Sequence, residues 1–424
     1  MKHKRKIIGF IAMMTGLIAS AQSILDRIDI HGFISQGYII SSNNNYLNLK
    51  TSRGSYEMNE SAINFSTNIT DNLRGGLQLL SRDLGKVGNN VVMLDWAYAD
   101  YRIRDYLGIR LGKIKTPLAL YDEIRDVDAL RTFILLPQSV YDENVRDFSF
   151  AFQGAALYGN YQMGIMGDLD YNLYMGTFNI PDPNTGFWHD SFSNLANEVK
   201  PVIAKPSSHI NEVSICNADI SAEYIWGFSG YWNSPFTGLK IGGCYLIGSI
   251  DMSVDIEAFS EKTLKSGDSV EEISRIPMTS KVKIKDYYTL SGEYAIQNLT
   301  LTGEYHSRIY RVHVNLPENG FMTDLSYQLI GYYGQATYRL TEWLEAGTYY
   351  SFYDDVDSHI KGISDWYFTQ KDICGAIRFD ITPNFLIKLE GHKINGVGLA
   401  LACENPSERT RNWNLFTVKS SLNL

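Results

Sequence analysis

The sequence predicts an all-β protein, a transmembrane antiparallel β-barrel of about sixteen strands behind an N-terminal signal peptide, and three observations predict it. Ile373, Gly375, Ile377, Phe379 and Ile381 alternate with Asp372, Cys374, Ala376, Arg378 and Asp380, so a strand there has one apolar face and one that tolerates water. The same alternation recurs from Ile28 almost to Leu424. The chain opens with an export signal, and no later stretch approaches the roughly 18 consecutive apolar residues of a membrane-spanning helix. An exported chain that crosses a membrane without such a helix does so as a closed barrel, because lipid satisfies no backbone N–H or C=O group.

The signal occupies residues 1–21. Lys2, Lys4, Arg5 and Lys6 form its basic start, Ile7 to Ile18 is mostly apolar, and Ala19-Ser20-Ala21 offers a small-residue cleavage site. The barrel is then expected over 22–424. Loss of the four basic signal residues leaves 34 basic against 47 acidic residues and moves the net charge from −9 to −13, which argues against a nucleic-acid partner. Tyrosine is abundant at 28 residues against only four cysteines, which suits aromatic girdles better than a disulfide scaffold. Cys216, Cys244, Cys374 and Cys403 lack metal-ligand spacing, and no hairpin register sets two of them opposite each other.

Short turns are expected at Thr70-Asp71-Asn72, Arg104-Asp105-Tyr106, Gly159 to Asp168, Asn233-Ser234-Pro235, Gln297-Asn298, Thr341-Glu342 and Thr382-Pro383-Asn384. Longer connections are expected near 41–57, 85–90, 115–145, 179–212, 255–284, 313–325, 354–370 and 397–411. Seven turns and eight loops join sixteen strands, with both termini on the short-turn side. Barrels of about 16 to 18 strands leave an aqueous channel, whereas those of about eight are filled by side chains.

Alternation also sorts residues by face. A charge facing lipid at the midplane costs about 2–4 kcal/mol, so Arg74, Gln78 and Arg82 are placed inward, with Leu73, Leu77 and Leu79 outward. By the same rule Glu60, Asn64, Asn68, Glu293, Glu304, His306, Arg308, Gln335, Arg339, Lys388, Glu390 and His392 face the interior. Ile63, Phe65, Leu290, Tyr294, Leu301, Tyr305, Tyr332, Tyr338, Ile387 and Leu389 face lipid. Arginine is expected to be harmful at Ile377 or Leu301 and tolerated at Ala376 or Thr302. A soluble periplasmic sandwich would alternate too, with its polar side as an outer surface.

The string LGKIKTPLALYDEIRDVDALRTFILLPQSVYD at 111–142 resembles the third-loop region of Gram-negative outer-membrane porins. The likeness rests on Gly-Lys-x-Lys-Thr-Pro at Gly112 to Pro117, the Arg125-Asp126 pair and Leu-Pro-Gln-Ser at Leu136 to Ser139. HGFISQGY from His31 to Tyr38 and GDLDYNLYMG from Gly167 to Gly176 resemble the same group. The resemblance implies a sixteen-stranded, usually trimeric barrel in the outer membrane, whose third loop folds inward and narrows a water-filled channel. One departure is the C-terminus: porins usually end in phenylalanine or tryptophan, and this chain ends Ser421-Leu422-Asn423-Leu424, although Phe416, Val418, Leu422 and Leu424 keep an outward stripe.

Residues 115–145 are therefore the candidate constriction loop. It carries Asp122, Glu123, Asp126 and Asp128 with Arg125 and Arg131, its approach carries Lys113 and Lys115, and the wall beside it offers Arg74 and Arg82. Acidic groups opposite a basic wall would set a transverse field across a narrow passage. The plainer alternative is that these charges pair and pin the loop. Its apolar piece Phe133-Ile134-Leu135-Leu136 is expected to pack on the wall, since exposing it to water is costly.

The expected function is passive transport of small hydrophilic solutes or ions, with outer-membrane lipid as surroundings and no cofactor. No Gly-x-Ser-x-Gly, His-Glu-x-x-His or phosphate-cradling glycine loop is present, and no enzymatic activity is expected. His306 and His392 read as polar lining, with metal binding the alternative. Two other readings stay open: a barrel for hydrophobic-substrate uptake, and a structural or adhesive barrel using Ile180 to Glu212 and Asp255 to Lys285 as binding surfaces.

Overall fold

A computed structural model describes residues 28–85, 87–180, 210–263, 269–317, 320–359, 361–401, 404–405 and 409–424. The signal read at 1–21, most of the fourth long connection and Cys403 lie outside the described residues. Sixteen strands form a closed antiparallel barrel in which each pairs with its chain neighbours and the first pairs with the last. They are β1 (Ile28–Ser41), β2 (Asn59–Asn68), β3 (Leu73–Asp83), β4 (Val92–Arg104), β5 (Leu107–Lys115), β6 (Ala151–Gln162), β7 (Asp168–Phe178) and β8 (Ile210–Asn233). The second half comprises β9 (Leu239–Thr263), β10 (Ser269–Ile296), β11 (Leu299–Leu316), β12 (Phe321–Thr341), β13 (Leu344–Asp355), β14 (Thr369–Thr382), β15 (Phe385–Gly396) and β16 (Asn412–Asn423). Closure removes the unpaired edges that an open sheet would leave.

All seven short turns fall where the turn residues place them. Ile373, Ile377 and Ile381 are exposed outward, while Asp372, Cys374, Ala376 and Arg378 are buried inward. Ile63, Leu290, Leu301, Tyr332 and Tyr338 are exposed on the outer face, and Glu304, His306, Arg308, Gln335, Lys388, Glu390 and His392 are buried on the inner one. Phe416 and Leu422 are exposed on the last strand and Leu424 just past its end, as the outward stripe requires. Cys244 and Cys374 are free, buried thiols.

An outward row of rings crosses the wall from β8 to β13. Trp226 and Tyr245 lie 6.5 Å apart, Tyr288 and Tyr305 6.1 Å, and Tyr332 and Phe352 5.2 Å. Amphipathic rings at one height mark a membrane–water boundary.

The fifth and sixth connections differ from expectation. Residues 255–284, read as a loop, are largely strand: Asp255 pairs with Pro277, Glu257 with Arg275 and Thr263 with Ser269. The sixth connection contracts likewise, since Leu316 pairs with Phe321. The strands β8, β9 and β10 have 24, 25 and 28 residues, against the roughly 9–11 needed to cross hydrocarbon. Past the aromatic row the outer face meets water, so Arg275, Thr279 and Lys281 sit there without penalty and the lipid signature disappears from the sequence while pairing continues. The described residues of the Asp255 to Lys285 segment, on either side of 264–268, therefore extend the sheet instead of forming a loop.

Candidate functional site

The third long connection, 116–150, is the longest fully described one, and it is seated on inward-facing side chains from many strands. Its apolar piece is wholly buried. Phe133 packs with Tyr349, Cys374 and Ala376, Leu136 with Tyr141 and Tyr333, and Ile134 and Leu135 join Ile39, Tyr46, Leu49 and Trp413. Each such side chain contributes about 1.5–3 kcal/mol on leaving water. Two inward glycines make room for it: a Cβ on Gly331 would lie 2.0 Å from the Ser139 carbonyl oxygen, and one on Gly347 would lie 2.8 Å from the Phe133 ring.

Polar wall groups hold the backbone of the segment. Ile134 and Leu135 donate their N–H groups to Glu390 at 2.5 and 3.1 Å. Leu120 N–H donates to Glu304 at 3.0 Å, and the Tyr141 hydroxyl donates to the same carboxylate. Arg378 donates to the Ala129 carbonyl at 2.7 Å, and Lys388 to that of Asp128 at 2.7 Å. Gln335 donates to the Tyr121 hydroxyl at 2.9 Å. Every one of these wall residues is on the inner face, where a charge without a partner would be expensive.

The charged residues read from the sequence are mostly consumed in pairs. Asp126 meets Lys115 at 2.8 Å and accepts a hydrogen bond from Gln78 at 2.5 Å. Asp128 meets Lys419 at 2.8 Å, Arg131 at 2.8 Å and Lys388 at 3.6 Å. Arg82, fully buried, meets Glu143 at 2.9 Å, and Arg125 meets the same carboxylate at 2.7 Å. Arg125 also lies 3.8 Å from Asp122. Arg131 donates to the carbonyl oxygen of Phe133 at 3.2 Å and to that of Ile134. Lys113, on the outer face, donates to the Leu94 carbonyl at 2.5 Å.

Glu123 and Arg74 stay exposed. Glu123 is close enough to the wall to act electrostatically on Arg110 and Tyr98, and Arg74 acts on Tyr98 as well.

These pairings sort the loop carboxyls. Burial disfavours the charge of Asp128, but Lys419, Lys388 and Arg131 outweigh it and hold the group well below the usual range. Asp126 is lowered in the same way, burial being overcome by Lys115 and Arg146, and so is Glu143, by Arg125 and Arg82. Asp122 goes the other way. Its burial exceeds the pull of Arg125, and its carboxyl is pushed up to about 7.

Sequence reasoning missed Glu143, which pairs with Arg82 and lies inside the candidate loop 115–145, one residue past the string that carries the resemblance. It also missed Lys388, Glu390, Lys419 and Glu304 as anchors, placing three of them only as lining. His306 and His392 are not brought together. His392 lies between Asp372, at 3.0 Å, and Glu390, at 2.9 Å, and its ligand atoms with those of Glu390 and Cys374 fall within 4.8 Å of one another. That trio contains metal-ligating atom types, with both imidazole nitrogens already engaged by carboxylates.

Tolerance of arginine at Ala376 and Thr302 is corrected by this packing. Ala376 lies under Phe133, and the Thr302 hydroxyl is 3.0 Å from that of Tyr121, so an added guanidinium has no room at either.

A closed sixteen-strand barrel with an apolar outer face, a polar inner face and an outward aromatic row has a porin-like fold, the architecture of an outer-membrane β-barrel. No family model and no curated protein matches the chain. Among solved structures, OmpF of Salmonella typhi in complex with daunomycin is similar at 12% identity and a TM-score of 0.53, over 94% of this chain and 97% of that one. The outer membrane channel DcaP of Acinetobacter baumannii is similar at 8% identity and a TM-score of 0.52, over 93% of this chain and 97% of that one. At these identities the likeness is one of fold.

Proposed function

We propose that the protein is an outer-membrane channel for passive diffusion of small hydrophilic solutes or ions, with residues 115–145 as its constriction loop. The observation that carries this reading is the seating of that segment on inward groups of opposite walls, Gln78 and Arg82 of β3 on one side and Glu304 of β11 and Gln335 of β12 on the other. A segment so held inside a barrel narrows it without closing it by hydrophobic collapse alone, and its position is fixed enough to define a passage.

Charge selectivity is then set by what the pairs leave over. Asp122, Asp126, Asp128, Arg125, Arg131 and Arg82 chiefly pin the loop. Glu123 on the loop and Arg74 on the wall supply the transverse field. The homotrimer implied by the porin resemblance belongs to the same proposal. Single-channel conductance in planar bilayers, with reversal potential in a salt gradient, tests it: discrete ohmic openings are expected, and an intact barrel with no conductance would overturn it.

A further inference from the structure

The inner face of β14 and β15 carries a cluster that the seating of the loop does not use up. Across this strand pair Cys374 lies directly opposite His392, Ala376 opposite Glu390 and Asp372 opposite Ile394. Period-two alternation therefore sets Asp372 and Cys374 of one strand beside Glu390 and His392 of the other, and all four are buried on the inner face. The ligand atoms of Cys374, Glu390 and His392 fall within 4.8 Å of one another.

The neighbours of these groups orient them as a metal site requires. His392 Nδ1 lies 3.0 Å from Asp372, which turns Nε2 toward Glu390 Oε1 at 2.9 Å. The Tyr349 hydroxyl donates to Asp372 at 3.2 Å and steadies it. A carboxylate behind one ring nitrogen is the usual support of a metal-bound histidine. Glu390 is fixed in turn by the N–H groups of Ile134 and Leu135, and its oxygens keep lone pairs beyond those two bonds.

The charge balance points the same way. Among the described residues neither Asp372 nor Glu390 has a lysine or arginine within ion-pair distance, and His392 is their one shared basic partner. Glu60, Asp126, Asp128 and Glu143 each meet a lysine or arginine instead.

We propose that this cluster binds a single Zn²⁺ ion through Cys374 Sγ, Glu390 Oε1 and His392 Nε2, with Asp372 as the residue that positions the imidazole. Bonds of about 2.0 Å to nitrogen and oxygen and about 2.3 Å to sulfur put tetrahedral ligands roughly 3.3–3.6 Å apart. The separations here lie on either side of that spacing, so rotation of the side chains closes the cage. One thiolate, one imidazole and one carboxylate suit zinc, whereas magnesium and calcium take oxygen ligands. Two acceptors approach to 2.9 Å only with a proton between them, so the ion displaces that proton and the Cys374 thiol proton together. Two positive charges leave as two arrive, and the buried cluster gains no net charge. The site stands on this cluster alone. Its consequence for the loop rests on the reading of 115–145 as a constriction: Glu390 would join the metal to Ile134 and Leu135, and Phe133 packs on Cys374.

The test is reconstitution of the untagged, refolded barrel with Co²⁺ under a thiol-free reductant, read by absorption and by metal content after dialysis. One retained cobalt per chain is expected, with a near-ultraviolet thiolate-to-cobalt band and a visible band of tetrahedral strength. Zn²⁺ should bleach both, and Mg²⁺ or Ca²⁺ should leave them unchanged. A protein carrying Cys216→Ser, Cys244→Ser and Cys403→Ser keeps Cys374 as its single thiol and should keep the thiolate band. Cys374→Ser should lose that band, and Asp372→Asn should weaken cobalt affinity about ten- to a hundredfold. Where Cys374→Ser does not give a heat-modifiable barrel, the protein with Cys374 as its single thiol decides the matter. Loss of the band in that folded protein, cobalt held without a thiolate band, or no cobalt retained by the folded native barrel would overturn the site. Absorption is read without current, so a failed metal site and a failed channel give different results: no band in the first case, no openings in the second.

Discussion

Asp128 of the third connection and Lys419 of the last strand lie 2.8 Å apart, both buried, and Lys419 is shared with Glu60 at 2.6 Å. The loop is thereby tied to the seam where β16 closes on β1. Removing one member of such a group leaves its partners charged and buried, which costs about 3–5 kcal/mol. Asp128→Asn should therefore lower the temperature at which the folded band converts to the unfolded one on a denaturing gel. An unchanged conversion temperature would show that the tie carries no stability.

The loop carboxyls predict two opposite pH dependences. Asp126, Asp128 and Glu143 sit below their unfolded values, so the stability they contribute is present above about pH 4 and is lost as the pH falls further toward their folded values. Asp122 behaves inversely. Between about pH 4 and its folded value near 7, the native chain keeps a proton that the unfolded chain has released, so stability declines as pH rises through that window. Conversion temperatures measured from pH 4 to 8 should decline toward pH 8 in the native protein. In Asp122→Asn that decline should be smaller, the remainder coming from Asp142, which burial also raises, and a profile identical to the native one would contradict the assignment.

Gly331 predicts a steric effect without any change of charge. Its missing side chain admits the Ser139 carbonyl oxygen, so Gly331→Val should displace the loop from β12 while leaving the strand pairing intact. The expected readout is faster protease cleavage within 116–150 of a barrel that remains heat-modifiable. Equal cleavage rates would mean that the loop is held elsewhere.

Much of this architecture was legible in the sequence, for reasons particular to its location. Within lipid, Ile373, Ile377 and Ile381 have no alternative to the outer face, so period-two alternation reports register directly. Beyond the aromatic row that constraint ends, and Asp255, Glu257 and Arg275 could belong to a strand or a loop with equal propriety. The loop's candidates were found because a string of charges between Lys115 and Val145 is conspicuous. Its partners were not, because Glu304, Lys388, Glu390 and Lys419 are far away in sequence and look like any other lumen lining. Only the fold shows that Arg82 is taken by Glu143 and that Glu123 is left open.

Selectivity divides the charged residues into two groups. Glu123→Gln should shift the reversal potential toward anions and Arg74→Gln toward cations, since both side chains are exposed. Asp126→Asn should alter stability more than selectivity, its charge being cancelled by Lys115 at 2.8 Å. The converse ranking, with Asp126 dominating the reversal potential, would contradict this division.

The central claim, that the third connection narrows the passage, is tested most directly at Glu123, its exposed acidic position. Single channels of Glu123→Cys in a background carrying Cys216→Ser and Cys403→Ser should be recorded before and after a bulky, membrane-impermeant thiol reagent, with that background alone as the control. The account predicts stepwise loss of conductance on modification and recovery on reduction. Unchanged conductance in channels whose labelling is confirmed by mass would contradict it.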